Sequence, residues 1–386
     1  MSKNLVCLLV VFVIFTGMFI VTSRVIWVRA SETIYIRSNG DVEGTDKIQR
    51  NGDNYMFTAN INDSIVVERD NILLDGAHYT LRGARSGTGI SLSGSSNVTI
   101  KNMEIKDFNY GISLSSNNTI SENNITANND EGILVFISNN NISGNNITAN
   151  NSYGIKLISS NNNIISRNNI TANGESGIWL SSSSNNNIIS RNNITAHSSW
   201  HGIRLDSSSG NIISRNNISN NDYGIRLSSV SNNSISENNI AANKYYNGYG
   251  IHLYFCANNT ISGNNITAND AYGIWLSSSS DNRFYHNNFV DNTQQVSCDS
   301  SSYPNVWDEG YPSGGNYWSD YETRYPEASE IDDSGIWDTP YVIDENNQDN
   351  YPVVPEFSST TILVVFMALT MLAVALTRKK RTKRFC

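Results

Sequence analysis

Nine times between Gly89 and Ile274 the chain reads Gly-Ile, at intervals of 22, 21, 22, 23, 25, 22, 26 and 23 residues. The glycines are Gly89, Gly111, Gly132, Gly154, Gly177, Gly202, Gly224, Gly250 and Gly273. Asn-Asn-Ile keeps step with them at Asn123, Asn145, Asn168, Asn192, Asn216, Asn238 and Asn264, and closes as Asn287-Asn288-Phe289. Two markers that hold one phase this long describe a stack of equivalent units, not a single globular core.

Within the unit from Gly154 to Asn173, the apolar residues come as Ile155 and Leu157, then Ile165, then Ile170. Each run is short, with period two, and the intervening Ser, Asn and Gly favour turns over helix interiors. No segment places apolar residues at i, i+3, i+4 and i+7, and the leucine density of a leucine-rich repeat is missing. The fold expected is all-β: a right-handed parallel β-helix with three short strands per coil of about 22 residues. Coils rise about 4.8 Å. About four inward aliphatics per coil, at roughly 1.5–3 kcal/mol each, must outweigh the ordering of the coil. One coil alone is therefore unstable, and its neighbours must cover it. The Asn pairs are expected at tight corners, since Asn accepts a left-handed backbone and its amide both donates and accepts along a stack. Several also spell Asn-x-Ser/Thr, as at Asn146 and Asn193, which marks glycosylation acceptors in an exported chain or ladder amides that merely share the spelling.

Lys3, the apolar run Leu5 to Val21 and Val28-Arg29-Ala30 read as a signal peptide cut after Ala30. Thr361 to Thr377 carries no charge and is followed by Arg378, Lys379, Lys380, Arg381, Lys383 and Arg384. As a helix the run would measure about 25 Å, and the basic cluster places the tail in the cytoplasm and the rest outside. The domains expected are a signal peptide over 1–30, an N-terminal cap and first coils over 31–88, and β-helix repeats over 89–296. An acidic cap follows over 297–355, and a membrane anchor with a basic tail over 356–386. The net charge is −9, yet all 35 acidic residues lie between Ser31 and Phe357, against 17 basic ones there. The stretch from Ser297 to Glu356 holds 14 acids and only Arg324 as a base. Such a surface argues against nucleic acid as a partner. Cys256 and Cys298 are the two cysteines between the terminal segments. They are either a disulfide that ties the last coils to the cap or two buried thiols.

Alternation turns the repeat into columns. In Gly-Ile-x-Leu the residue x faces outward, and from the third coil it is Leu134, Lys156, Trp179, Arg204, Arg226, His252 and Trp275. The residue before the glycine is often aromatic or His: Tyr110, Tyr153, His201, Tyr223, Tyr249 and Tyr272. Aromatic faces pack on sugar C–H faces and guanidinium pairs with carboxylate, so Lys156, Trp179, Arg204, Tyr223, Arg226, His252, Tyr272 and Trp275 are the candidate carbohydrate-binding residues. Strands also favour aromatics for reasons of packing alone. Arg167, Arg191 and Arg215 share another column, just before the Asn pair, with Glu122 and Glu237 beyond its ends. A glycosidase needs two carboxylates about 5–9.5 Å apart; Glu175 and Asp222, two positions before their glycines, would stand roughly 9.6 Å apart by coil rise. In the cap, Glu330, Asp332, Ser334, Ile336 and Asp338 follow the spacing of a calcium loop around Gly335, although position 1 is Glu and position 12 is Tyr341.

The segment Ile65-Val66-Val67-Glu68-Arg69-Asp70-Asn71 with Asp75-Gly76 resembles the NosD-like group of parallel β-helix proteins. So does the run Gly315-Asn316-Tyr317-Trp318-Ser319-Asp320-Tyr321 with Asp338-Thr339-Pro340-Tyr341 and Asp349-Asn350-Tyr351-Pro352. The likeness covers residues 31–355 and implies kinship with carbohydrate-binding proteins and sugar hydrolases. It also implies copper, as the group's namesake is described as a periplasmic copper-binding protein. The scarcity of Met, Cys and clustered His between the termini argues against copper. Pro355-Glu356-Phe357 with the apolar and basic tail resembles an archaeal sorting signal read by an archaeosortase, which implies removal of the helix; a retained single-pass anchor is the alternative. The function expected is that of an exported cell-surface module that binds polysaccharide or builds the envelope. The alternatives are a polysaccharide hydrolase or lyase on the same groove, and a NosD-like copper-site maturation factor.

Overall fold

The computed structural model describes residues 33–354, apart from 93, 198–199, 245–247 and 303. The expected signal peptide and membrane anchor lie outside the described residues, among which no helix is long and apolar enough to cross a membrane. The described chain is a right-handed parallel β-helix of about ten turns, and its three strands per coil build three long sheets. In one coil they are Ile155–Ile158, Ile164–Ser166 and Asn169–Thr171. These belong, in that order, to a first sheet of 13 strands, a second of 12 and a third of 11. The winding opens with two antiparallel pairs, Ile34–Ile36 with Val42–Glu43 and Ile48–Asn51 with Asn54–Phe57.

Equivalent letters of consecutive repeats sit over one another. Ile155 pairs Ile178, Lys156 pairs Trp179 and Leu157 pairs Leu180. The two longest intervals leave this register intact, since Ile178 pairs Ile203 and Ile225 pairs Ile251. Ile155, Leu157, Ile165 and Ile170 are all fully buried, which gives each coil its share of a core that no coil completes alone. The glycine column is fixed by contact. A Cβ on Gly224 would stand 2.5 Å from the Gly250 carbonyl oxygen and 2.6 Å from Ile240 Cγ2. Both neighbours belong to the packed interior, so Gly224→Ala is expected to cost about 3 kcal/mol by overpacking. Equilibrium denaturation beside an exposed control such as Lys244→Ala checks it, and an equal cost for the two would remove this account of the repeat's first letter.

The two asparagines of each pair do different work, which corrects the corner expectation. The first is buried and builds a ladder inside the corner between the second and third sheets. Asn168 donates from N and from Nδ2 to Asn192 Oδ1, each at 3.0 Å, and from Nδ2 to the Ile142 carbonyl at 2.9 Å. The second faces outward on the third sheet in a separate row, where Asn169 Nδ2 donates to Asn146 Oδ1 at 2.8 Å. The sequon asparagines Asn146 and Asn193 belong to this outer row and not to the buried ladder. The left-handed backbone falls instead on the residue before the pair: Glu122, Arg167, Arg191, Arg215 and Glu237, with φ of +55° to +58°.

Two further buried ladders run along the other corners, one through Asn163, Asn187 and Asn211, the other through Asn221, Asn243 and Asn269. The C-terminal segment closes all three. Trp307 stacks on Phe284 with ring centroids 4.3 Å apart, Trp318 on Phe289 at 4.4 Å, and Tyr341 on Trp318 at 4.0 Å. Asn347 takes the next rung after Asn305, Gln295 receives Asn292, and Asp349 receives Asn316.

Candidate functional site

The outward side of the first sheet carries the candidate binding residues in one unbroken column. Lys156, Trp179, Arg204, Arg226, His252 and Trp275 pair coil by coil along the stack. Four coil rises separate the two tryptophans, about 19 Å. Beside this column run His201, Tyr223 and Tyr249, themselves in register, with Tyr153 before them and Tyr272 after. The rings touch: Tyr153 and Trp179 centroids lie 4.7 Å apart, His201 and Tyr223 4.7 Å, Tyr249 and Tyr272 5.2 Å, and His252 and Trp275 4.1 Å. Every expected carbohydrate-binding residue is therefore on this one face. A third outward column, absent from the sequence expectation, contributes Asp206, Ser228, Tyr254 and Ser277.

Charge on the face is arranged unevenly. Lys156 Nζ lies 2.7 Å from Glu131 Oε1 and also sits over the rings of Tyr153 and Trp179. Glu131 is nearly buried, and burial raises its carboxyl above the ordinary range against the pull of Lys156. Arg204 Nε lies 2.7 Å from Asp206 Oδ2 as an ion pair without an aligned hydrogen bond, and Trp179 Nε1 donates to the same oxygen at 2.7 Å. His252 is only 5% exposed; burial first, and Arg226 beside it, push its imidazole down to about 4. His201 is held well below its ordinary value by burial, with Arg204 and Arg226 adding to it, and its Nδ1 lies 3.1 Å from Ser176 Oγ. Both rings are neutral near pH 7, which leaves Lys156, Arg204 and Arg226 as the cations of the face. Among the described residues the face is a strip that follows the stack of coils. Two hollows of about 280 and 690 Å³ lie at the cap instead, the first lined by Asp320, Arg324 and Tyr341, the second by His286, Ser334 and Val353.

The other candidates are distributed as follows. Burial raises the Tyr153 phenol, and the hydrogen bond that its hydroxyl donates to Glu175 adds to this. Asp222 is buried, its N–H bonded to the Trp200 carbonyl. Trp200 itself turns back on His197, so the coil between the two carboxylates is irregular. Arg215 pairs with Glu237 at 2.7 Å, which neutralises one end of the exposed arginine column. Glu330 to Asp338 forms a hairpin closed by backbone bonds, Ile331 N to Ile336 O and Ser334 N to Ile331 O, while Asp338 Oδ1 accepts the Ser329 N–H. Among the described residues no three His, Cys, Asp or Glu side chains converge as a metal site, so calcium has only the spacing in its favour. Cys256 and Cys298 are free thiols.

Donor chemistry does not fit copper. His197 replaces an asparagine in a buried ladder, with Nε2 against the Ile170 carbonyl and Nδ1 against that of Asn173. His201 faces Ser176, and the thiol of Cys256 donates to the Tyr254 carbonyl. These groups have separate partners and form no common donor set.

The family described as periplasmic copper-binding protein (NosD) matches residues 189–323, and the right-handed β-helix region matches residues 88–197. No curated protein matches the chain. Among solved structures, the Dettilon tailspike protein superposes with a TM-score of 0.53 at 18% identity, over 70% of this chain and 61% of that one. A double mutant of the periplasmic alginate epimerase AlgG gives 0.51 at 18% identity, over 70% of this chain and 83% of that one. At this identity the likeness is one of fold.

Proposed function

We propose that this NosD-like right-handed β-helix protein is an exported, surface-tethered module that holds polysaccharide along its first sheet. The observation that carries the reading is the column from Lys156 to Trp275. Rings within it and in the column beside it form a platform whose length suits an extended chain. A similar fold in a protein named as an alginate epimerase accords with this use. Tethering rests on the sequence of the two termini, including the resemblance to an archaeosortase signal. A glycan array with the full-length chain tests the reading. Trp179→Ala and Trp275→Ala are each expected to weaken the best ligand roughly five- to tenfold, the worth of one aromatic platform. Failure to bind any glycan would remove the proposal.

Cleavage on the same face is the second reading, and one observation favours it. Glu131 and Glu175 both act on the Tyr153 hydroxyl, Glu175 by a hydrogen bond and Glu131 through its charge, beside the Trp179 ring. Release of new reducing ends or unsaturated products that is abolished in Glu175→Gln would establish it. Asp222→Asn is expected to leave any such release intact, since its carboxyl is buried, close enough to Tyr249 to act on its phenol, and does not reach a bound chain.

A further inference from the structure

The cations of this face differ in one respect that the columns alone do not reveal. Lys156 is matched by Glu131 and Arg204 by Asp206, while none of the ion pairs among the described residues includes Arg226. From Ser176 to Ser277 the three outward columns hold a single acid, Asp206. That is unusual in a chain with 35 acidic residues against 26 basic ones. Arg226 sits in the middle of the platform, two coils from Trp179 on one side and two from Trp275 on the other, about 10 Å each way. Next to it lies His252, nearly buried, with neither ring nitrogen finding a hydrogen-bond partner among the described residues. An unmatched guanidinium beside an unpartnered imidazole, flanked by aromatic platforms, lacks an anion with acceptor oxygens to complete it.

We infer that Arg226 forms an anionic subsite, so that the glycan held on this face carries acidic groups and is centred by one of them between the two tryptophan platforms. The inference rests on the proposed carbohydrate-binding function and narrows it. Two oxygens of the acidic group accept from the guanidinium fork, the geometry that distinguishes Arg from Lys. The pair forms in a partly dry setting, with Arg204 one coil away already neutralised and no ion pair to Arg226 among the described residues. The acidic group is a uronate carboxylate or a sulfate ester, which share this chemistry.

The test is a set of titrations on the full-length chain at one ionic strength. The probes are oligogalacturonate, a sulfated galactan oligosaccharide and a neutral cello-oligosaccharide of equal length. At least one acidic probe is expected to bind ten times more tightly than the neutral one, and Arg226→Gln to erase that preference. Arg226→Lys should retain part of it, and Arg191→Gln, at the corner between the second and third sheets, should leave it unchanged. The thermal transition of each variant shows that it is folded. Preference for the sulfated probe alone supports the subsite and assigns the group as sulfate; preference for the uronate alone assigns it as carboxylate. If the neutral probe binds as well as both acidic ones and Arg226→Gln changes nothing, the subsite is wrong and the carbohydrate reading stands. If no probe binds at all, both are overturned.

Discussion

Asn192→Ala is expected to destabilise the protein by about 4 kcal/mol, far more than the side chain's size implies. Asn192 Oδ1 accepts two bonds from Asn168, at 3.0 Å each, and its Nδ2 donates to Asn216 Oδ1 at 3.0 Å and the Ile165 carbonyl at 2.9 Å. Alanine strands two donors and one carbonyl in a dry corner, and each such orphan costs about 1–3 kcal/mol. The outward neighbour provides the control. Asn193 donates to Asn169 and accepts from Asn217 on the solvent side of the third sheet, where water can replace the lost partners. Asn193→Ala is expected to cost well under about 1 kcal/mol. Urea denaturation of the two variants decides the matter, and equal losses would show that the buried row is not what holds the coils in register.

The second large effect concerns Asp349 and depends on pH. Its Oδ2 accepts from Asn316 N at 2.7 Å, Asn316 Nδ2 at 3.3 Å and Trp318 Nε1 at 2.9 Å. Burial is the largest influence on its carboxyl and raises it to about 7, against the pull of those donors. A carboxyl that holds its proton more tightly when folded stabilises the protein most below its unfolded value, near 4, and loses that contribution as pH rises through about 7. Wild-type stability is therefore expected to fall by roughly 2–3 kcal/mol between about pH 5 and about pH 8 from this group alone. In Asp349→Asn that part of the decline disappears. Asp349→Ala, which leaves Asn316 N, Trp318 Nε1 and Tyr351 N unmatched and has no carboxyl to titrate, is expected to lose about 4 kcal/mol at about pH 5 and roughly 2 kcal/mol at about pH 8. Denaturation curves at the two pH values read all three outcomes; an unchanged slope in Asp349→Asn would assign the pH dependence elsewhere.

The coil, its three strands and the face that gathers Lys156 to Trp275 were legible because Gly-Ile and Asn-Asn-Ile keep one phase, and in a stack phase is position. Trp179 and Arg204 pair directly even though the interval between their coils is one of the longest. What phase does not report is which of two adjacent identical residues turns inward. Asn168 and Asn169 have the same composition and opposite fates, so the corner was placed one residue late and its left-handed site fell on Arg167. Asp206 was missed although a signal existed, since Arg204 and Asp206 are two apart in a strand and must face the same way. Glu131 occupies the aromatic column's position but is not aromatic, so a search for rings passed over it. The burial of His252 depends on Trp275, one coil on, and Tyr223, one coil back, as well as on the rings of its own repeat, so that repeat alone does not report it. The calcium spacing of Glu330 to Asp338 reports intervals between residues, and the backbone bonds that close this segment as a hairpin are not part of it.

The inner asparagines also share a direction. In the row that includes Asn168, Asn192 and Asn216, each amide hydrogen points to the oxygen of the following coil, and the last, on Asn316, points to Asp349. Aligned amide dipoles add, as they do along an α-helix, and the end where only hydrogens arrive is the positive pole. An acid at that terminus meets the unsatisfied hydrogens with acceptor oxygens and, once ionised, opposes the accumulated field with its own charge. A solenoid wired in this way has a polarity as definite as a magnet's, and extra coils would strengthen it without moving the pole that needs the acid.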